Sequence, residues 1–235
     1  MPSQIDHLVI AAHSLDQGVQ WCEATLGVTP HPGGEHPQFG THNRLLKIAT
    51  PASPMAYLEI IAIQPGAKGP ANPRAKRWFD LDDAALRAAV ATEPRLMHFV
   101  ANTTDVRAAR IALSALDIER GPAMPASRHT RKGTLHWQIT VREDGQRLFD
   151  GCLPTLIQWG KPEDEVPLRL HPRNSLPRSK VSLDRIAITH PSAAKLQAAY
   201  AAIGLEGIAI NEGPANLSAT LKTPKGLVTL QSLGL

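Results

Sequence analysis

Hydrophobic positions along the chain switch between two periods, and the switches recur. Ile5-Asp6-His7-Leu8-Val9-Ile10-Ala11 is a short run rich in β-branched residues and predicts a strand. Ser14-Leu15-Asp16-Gln17 follows with capping-box chemistry, in which Ser14 caps the helix start and Gln17 reaches back. Leu15, Val19, Cys22 and Leu26 then fall on one helical face. Gly27 supplies the left-handed residue that ends such a helix. The predicted unit is a strand, a tight turn and an amphipathic helix.

The same pattern returns near the C-terminus. Leu183-Asp184-Arg185-Ile186-Ala187-Ile188-Thr189 predicts a strand, and Leu196, Tyr200 and Ile203 predict a helix closed by Gly204. His13 to Gly27 and His190 to Gly204 are both 14 residues apart. A weaker middle copy reads Leu96-Met97-His98-Phe99-Val100-Ala101, then the capping types Thr104 and Asp105, then the stripe Val106, Ala109, Leu113 and Leu116. His7, His98 and Arg185 thus share one strand position. Strand-like runs follow each helix, at 42–48 and 57–63, at 134–142 and 155–159, and at 217–222 and 227–233. In the last run of each copy Glu59, Gln158 and Gln231 fall in register. The Gly- and Pro-rich stretch 28–40 leaves room for one more short strand. Repeats of this kind define the architecture before any other signal. They divide the chain into units of about 1–75, 76–160 and 181–235, with a further helix at 81–92. Pro162, Pro167, Pro172 and Pro177 make 161–180 the linker candidate.

Composition narrows the classes. At 43% hydrophobic residues the 235-residue chain is not a disordered one. No run approaches the roughly 18 apolar residues of a membrane helix, so no membrane partner is expected. The start lacks a basic segment before a longer apolar run, and only Cys22 and Cys152 are present, so a reduced, cytoplasmic setting is expected. The charge of +4 is mild, and Arg and Lys gather in connections rather than along a helix with stacking aromatics, which argues against nucleic acid. There is no Gly-rich phosphate loop and no Gly-x-Ser-x-Gly elbow. Cys22 falls on the apolar helix stripe, and nothing ties Cys152 to a His.

Repeated βαβββ units with a His in a first strand and a Glu in a last strand resemble the vicinal oxygen chelate superfamily, most closely its glyoxalase-like domain proteins. The matching text is Asp6-His7-Leu8-Val9, the stretch from His36 to Leu45, Tyr57-Leu58-Glu59, and Leu156-Ile157-Gln158-Trp159-Gly160. The resemblance covers about 4–160 and implies an α+β fold. Two βαβββ modules would form curved mixed sheets around a cleft, with a third, degenerate module beyond them. It implies a divalent metal (Fe, Mn, Ni, Co or Zn) held by His7, Glu59, His98 and Gln158, and a small-molecule substrate. The activity implied is metal-assisted isomerase, lyase or dioxygenase chemistry. The competing reading is a metal-free protein that binds a small molecule in the same cleft.

The residue chemistry bears on this. Two imidazoles and a carboxylate suit borderline-hard divalent metals and leave positions open for substrate oxygens. Glu59 sits in an otherwise apolar strand, where a carboxylate is costly to bury unless paired or metal-bound. It is the catalytic candidate. Gln158 is a weak ligand, so it is a fourth ligand, a substrate hydrogen-bond partner or simply a polar cleft residue. His36, His42, Asn43 and Arg44 supply polar groups beside a strand in which His42 and Arg44 share a face opposite Asn43. Gly33, Gly34 and Gly40 permit unusual backbone angles there. His42 and Arg44, with Arg128 and His136 from the second unit, are the substrate-binding candidates, Arg128 for a carboxylate. The third unit carries Arg185 and Gln231 in place of His and Glu and should bind no metal. Its unpaired face would meet another copy, as a homodimer, or pack on the first two units.

Overall fold

The computed structural model describes residues 2–130, 133–160, 164, 168, 170–233 and 235. The first unit runs β1 (Ser3–Ala11), α1 (Leu15–Leu26), β2 (His31–His36), β3 (Thr41–Lys47) and β4 (Tyr57–Ile63). A 3-10 turn at Trp78–Asp80 and α2 (Ala84–Thr92) lead to the second unit. That unit holds β5 (Arg95–Thr103), α3 (Val106–Ser114), β6 (Ala123–Thr130), β7 (Gly133–Thr140) and β8 (Thr155–Trp159). A short α4 (Pro172–Ser175) precedes β9 (Ser182–Thr189), α5 (Ala193–Ile203), β10 (Ala209–Asn211), β11 (Asn216–Thr223) and β12 (Gly226–Gln231). Of the expected linker, 161–163, 165–167 and 169 lie outside the described residues, as do Arg131 and Lys132.

The helix ends follow the local chemistry. The Ser14 hydroxyl accepts the Gln17 amide at 3.2 Å, and Gln17 Oε1 accepts the His13 amide at 2.8 Å, so two N-terminal donors are satisfied reciprocally. Gly27 and Gly204 end α1 and α5 at φ 74° and 64°. Asp83 and Asp105 cap α2 and α3 through the amides of Leu86 and Ala108.

The first two units share one curved eight-stranded sheet, ordered β2-β3-β4-β1-β5-β8-β7-β6. In each unit the first strand lies parallel beside the last, with His7 opposite Tyr57 and Val100 opposite Thr155. β1 and β5 pair antiparallel and join the two halves. Alternation along the strands divides the core. Leu8, Ile10, Leu58, Ile60 and Phe99 face the helices. Val9, Ile61, Val100 and Ile157 face the inside of the curve. Full burial of one such side chain contributes about 1.5–3 kcal/mol. β2 is the extra strand for which 28–40 left room, whereas β6 forms where the sequence suggested a polar connection. Its positions are half-buried or exposed in turn, which leaves little hydrophobic period to read.

The third unit keeps the element order of the others but not the strand order. Its sheet is β10-β9-β11-β12, with β9 antiparallel to β11 and β12 out at the edge. Gln231 therefore does not take the place that Glu59 has beside a first strand. This unit packs on the other two, and Leu183, Tyr200 and Leu217 join Leu8 and Phe99 in one apolar cluster. The Ser3 amide donates to the Gly204 carbonyl at 3.0 Å, and the Leu183 amide to that of Ile48 at 2.9 Å.

Candidate functional site

The site begins with a bulge in β1. Ile5 pairs with Ala101 and His7 with Val100, so Asp6 is an extra residue in the ladder. A bulge re-aims side chains, and Asp6 and His7, sequence neighbours, meet at 2.7 Å instead of pointing to opposite faces. The same irregularity recurs 91 residues on, where Met97 is the extra residue before His98. The first copy thus couples an imidazole to a carboxylate, and the second does not.

Asp6 is fully buried and accepts from His7, Trp159 and His171. His7 Nδ1 is 2.7 Å from Oδ1, and Trp159 Nε1 and His171 Nε2 lie 2.8 and 3.1 Å from Oδ2. Burial alone would raise the carboxyl, but the donors from His171 and His7 outweigh it and hold Asp6 well below the usual carboxylate range. His171 Nδ1 accepts the Arg173 amide, so its Nε2 carries the hydrogen and donates to Asp6. His171 belongs to the stretch expected as a linker, and it is as buried as any core residue. His7 also stacks on Tyr57, ring centroids 4.5 Å apart.

Glu59 faces His7 from β4, with Oε2 3.5 Å from His7 Nε2. Its other oxygen accepts the Asn43 side-chain amide, and Asn43 Oδ1 in turn accepts the Gly34 amide at 2.7 Å. That chain fixes the orientation of Asn43 and leaves Oε2 open to the cavity. Gly33 and Gly34 matter here by lacking side chains. A Cβ on Gly33 would stand 1.9 Å from Asn43 Oδ1, and one on Gly34 2.4 Å from an Arg128 nitrogen. Gly40 alone of the three has the left-handed backbone, at φ 60°.

His7, His36, Asn43 and Glu59 form the polar side of a cavity of about 40 Å³. Trp78, Phe79, Trp137 and Trp159 wall it, with Leu135, Ile139 and Ile157. Burial pushes the His36 imidazole down to about 4, against the pull of Glu59, so it is neutral near pH 7. Phe79 and Asp80 hold left-handed angles of 60° and 59°, rare for non-glycine residues. The Asp80–Arg147 ion pair at 2.8 Å and the Asp80 amide on the Gly145 carbonyl anchor that turn.

The four residues expected as metal ligands do not converge. His98 is fully buried beneath Phe79, with Nδ1 on the Gly151 carbonyl at 2.9 Å and Nε2 accepting the Thr155 amide at 3.1 Å. Both ring nitrogens are used, and burial, reinforced by Arg120, keeps the ring well below the usual imidazole pKa. Gln158 lies between Ile157 and Trp159 on β8, and those two face the cavity. Alternation turns Gln158 the other way, where its Oε1 accepts the Val106 amide at the start of α3. Of these four only His7 and Glu59 meet, and the other imidazole of the cavity, His36, has its Nδ1 3.2 Å from the Thr41 hydroxyl and its ring edge-on to Trp78. Catalytic zinc sites take three protein ligands, and the oxygenase triad takes two His and a carboxylate. Among the described residues no three of His, Cys, Asp and Glu are grouped to hold a metal. The residues present therefore do not fit the metal centre the resemblance implied.

Of the substrate-binding candidates, Arg128 lines the cavity, because it pairs with the inward Leu135 across β6 and β7. His42 and Arg44 lie on the outer face of β3, and Asn43 between them points in. His136 is on the outer face of β7 for the same reason, between Leu135 and Trp137. Sequence reasoning attached no role to Asp6, Tyr57, Trp78, Trp159 or His171. The usable signal was Asp beside His at the head of the first strand. The rest meet only through tertiary pairing.

A glyoxalase-like domain family model matches residues 5–204. No curated protein sequence matches the chain. A hypothetical protein from Staphylococcus aureus superposes with a TM-score of 0.59 at 17% identity, covering 98% of this chain and 85% of that one. A variant of the Streptomyces coelicolor methylmalonyl-CoA epimerase in complex with 2-nitronate-propionyl-CoA gives 0.38 at 19% identity, covering 67% and 98%. A mutant 4-hydroxymandelate synthase from Streptomyces coelicolor gives 0.45 at 13% identity, covering 98% and 62%. With the family model spanning most of the chain over two half-sheets joined at β1 and β5, the chain belongs to the glyoxalase-like domain family.

Proposed function

We propose that the chain is a small-molecule enzyme that moves a proton on a carbonyl substrate, with His7 and Glu59 as its acid–base pair. The observation that carries this reading is a buried imidazole whose Nδ1 is committed to Asp6 while Nε2 faces a buried carboxylate across 3.5 Å. In the neutral ring Nδ1–H donates to Asp6, so the lone pair is on Nε2, at the cavity. Glu59 Oε2 is the neighbouring proton acceptor. One of the pair removes a proton from carbon next to the carbonyl, and the enolate forms. The proton then returns to that carbon or to the next, which is isomerisation, or a group leaves from the β-carbon, which is lyase chemistry. Positioned acid–base groups contribute about 10²–10⁴ in rate. Oxygenation at a metal is not carried by this donor set, and no step of the reading passes through one.

The test is wash-in of solvent deuterium, followed by proton NMR, into a panel of small carbonyl acids. The wild-type chain is expected to exchange protons next to the carbonyl of at least one compound, and His7→Gln to lose this. Absence of exchange across the panel, or its persistence in His7→Gln, contradicts the proposal. Absence of exchange together with tight binding favours the binding-protein reading.

A further inference from the structure

We infer that the substrate is a short, flat oxo acid whose carboxylate is held by Arg128. This rests on the proton-transfer reading above and names the substrate class of the same site.

Three observations carry it. The first is the size of the cavity. About 40 Å³ is room for roughly three waters at 10–15 Å³ each, and an aryl ring needs a cavity several times larger. The reacting end of the substrate therefore has only a few heavy atoms. The second is the shape. Three of the four tryptophans in the chain, Trp78, Trp137 and Trp159, wall this one space. Trp78 is stacked against Phe39 at 4.1 Å and Phe79 at 4.9 Å, near-parallel to both, so the aromatic side of the cavity is held rigid. A planar conjugated group and the planar enolate it gives both fit such walls.

The third observation is the charge. The Arg128 side chain is half-buried and has no hydrogen-bond or ion-pair partner among the described residues, although a guanidinium carries five donors. It stands where the inner cavity meets a wider groove past Pro32, Leu170 and Leu176, and together with Leu45 it lines both. The close approach of Gly34 holds it there. An unpaired guanidinium at the neck of a small apolar cavity recognises a planar carboxylate, by two parallel hydrogen bonds. A carboxylate on Arg128 puts the rest of a three- or four-carbon oxo acid toward the polar side that holds His7 and Glu59.

The experiment is titration of the full chain by tryptophan fluorescence with three probes: pyruvate, its neutral amide pyruvamide, and phenylpyruvate. Pyruvate is expected to bind about ten- to hundredfold more tightly than pyruvamide, the range for a hydrogen bond to a charged group. Arg128→Gln should erase that preference, and Arg128→Lys should keep part of it. Phenylpyruvate should bind more weakly than pyruvate to the wild type and gain on pyruvate in Trp137→Ala, which enlarges the cavity. Equal binding of acid and amide, an acid preference that survives Arg128→Gln, tighter binding of phenylpyruvate by the wild type, or no binding of any probe overturns the inference. His7→Gln, titrated in parallel, should still bind pyruvate. Binding without proton exchange would sink the catalytic reading alone, and exchange on neutral carbonyls independent of Arg128 would sink this inference alone.

Discussion

Replacing Asp6 by Asn tests the site at its most constrained point. Trp159 can only donate, and His171 donates from Nε2 because its Nδ1 is taken by the Arg173 amide. Both point at Oδ2, so that atom must remain an oxygen in the variant. The new amide nitrogen then replaces Oδ1 and presents hydrogens to His7 Nδ1, which has to become the acceptor. The proton of the neutral His7 ring moves to Nε2, on the side of Glu59. All three hydrogen bonds survive in number but lose their ionic partner. A hydrogen bond to a charged group is worth about 1 kcal/mol more than a neutral one, so the variant should be about 3 kcal/mol less stable. With Nε2 protonated, proton exchange on substrate should fall by about 10²–10⁴. Long-range ¹⁵N–¹H correlation spectra identify which ring nitrogen carries hydrogen, and urea titration gives the stability. Nδ1 protonated in both proteins, or a variant as stable as the wild type, would refute the reasoning.

Gly33→Ala drives a Cβ into Asn43 Oδ1, breaks the support of Glu59 and should cost about 1–3 kcal/mol, read by urea melts, whereas Gly66→Ala meets nothing within 4 Å and is strained only by its φ of 73°. Acid should destabilise the fold through His36. Its folded pKa of about 4 lies below the ordinary 6.5, so the unfolded chain binds the extra proton, and stability present above pH 6.5 is lost as pH falls toward 4, by about 3 kcal/mol. The wild type minus His36→Gln difference in urea stability should shrink over that window, and a difference independent of pH would contradict it. Dialysis against EDTA should leave the proton-exchange rate unchanged. A loss restored by adding Mn(II) or Ni(II) would place a metal at His7 and Glu59 after all.

The fold was legible where local chemistry decides it. Ser14 with Gln17, Gly27, Asp105 and the two hydrophobic periods marked the units because caps and amphipathic faces depend on neighbours in sequence. Half of the candidate site was legible too, since Glu59 in an apolar strand and Arg128 each stood out by residue type. Repeat register failed at Gln158, because a match in aligned text does not fix a face when the side-chain period is two. It was also insufficient at His98. The bulge it shares with His7 sets Met97 where the first copy has Asp6, and Gly151 and Thr155 from other elements consume its nitrogens. His171 was hidden for a different reason. A Pro-rich stretch carries no period, and only the folded chain shows that it delivers a buried donor to Asp6.

The central claim is that proton transfer belongs to the first unit's carboxylate and not to the residue that aligns with it in the second. Exchange rates of Glu59→Gln and Gln158→Ala, measured side by side in deuterium oxide, test this most directly. Glu59→Gln should lose at least about a hundredfold. Gln158→Ala, which removes only a contact to the start of α3, should keep its rate within a few-fold while losing about 0.5–2 kcal/mol of stability. Equal losses in the two variants would contradict the account.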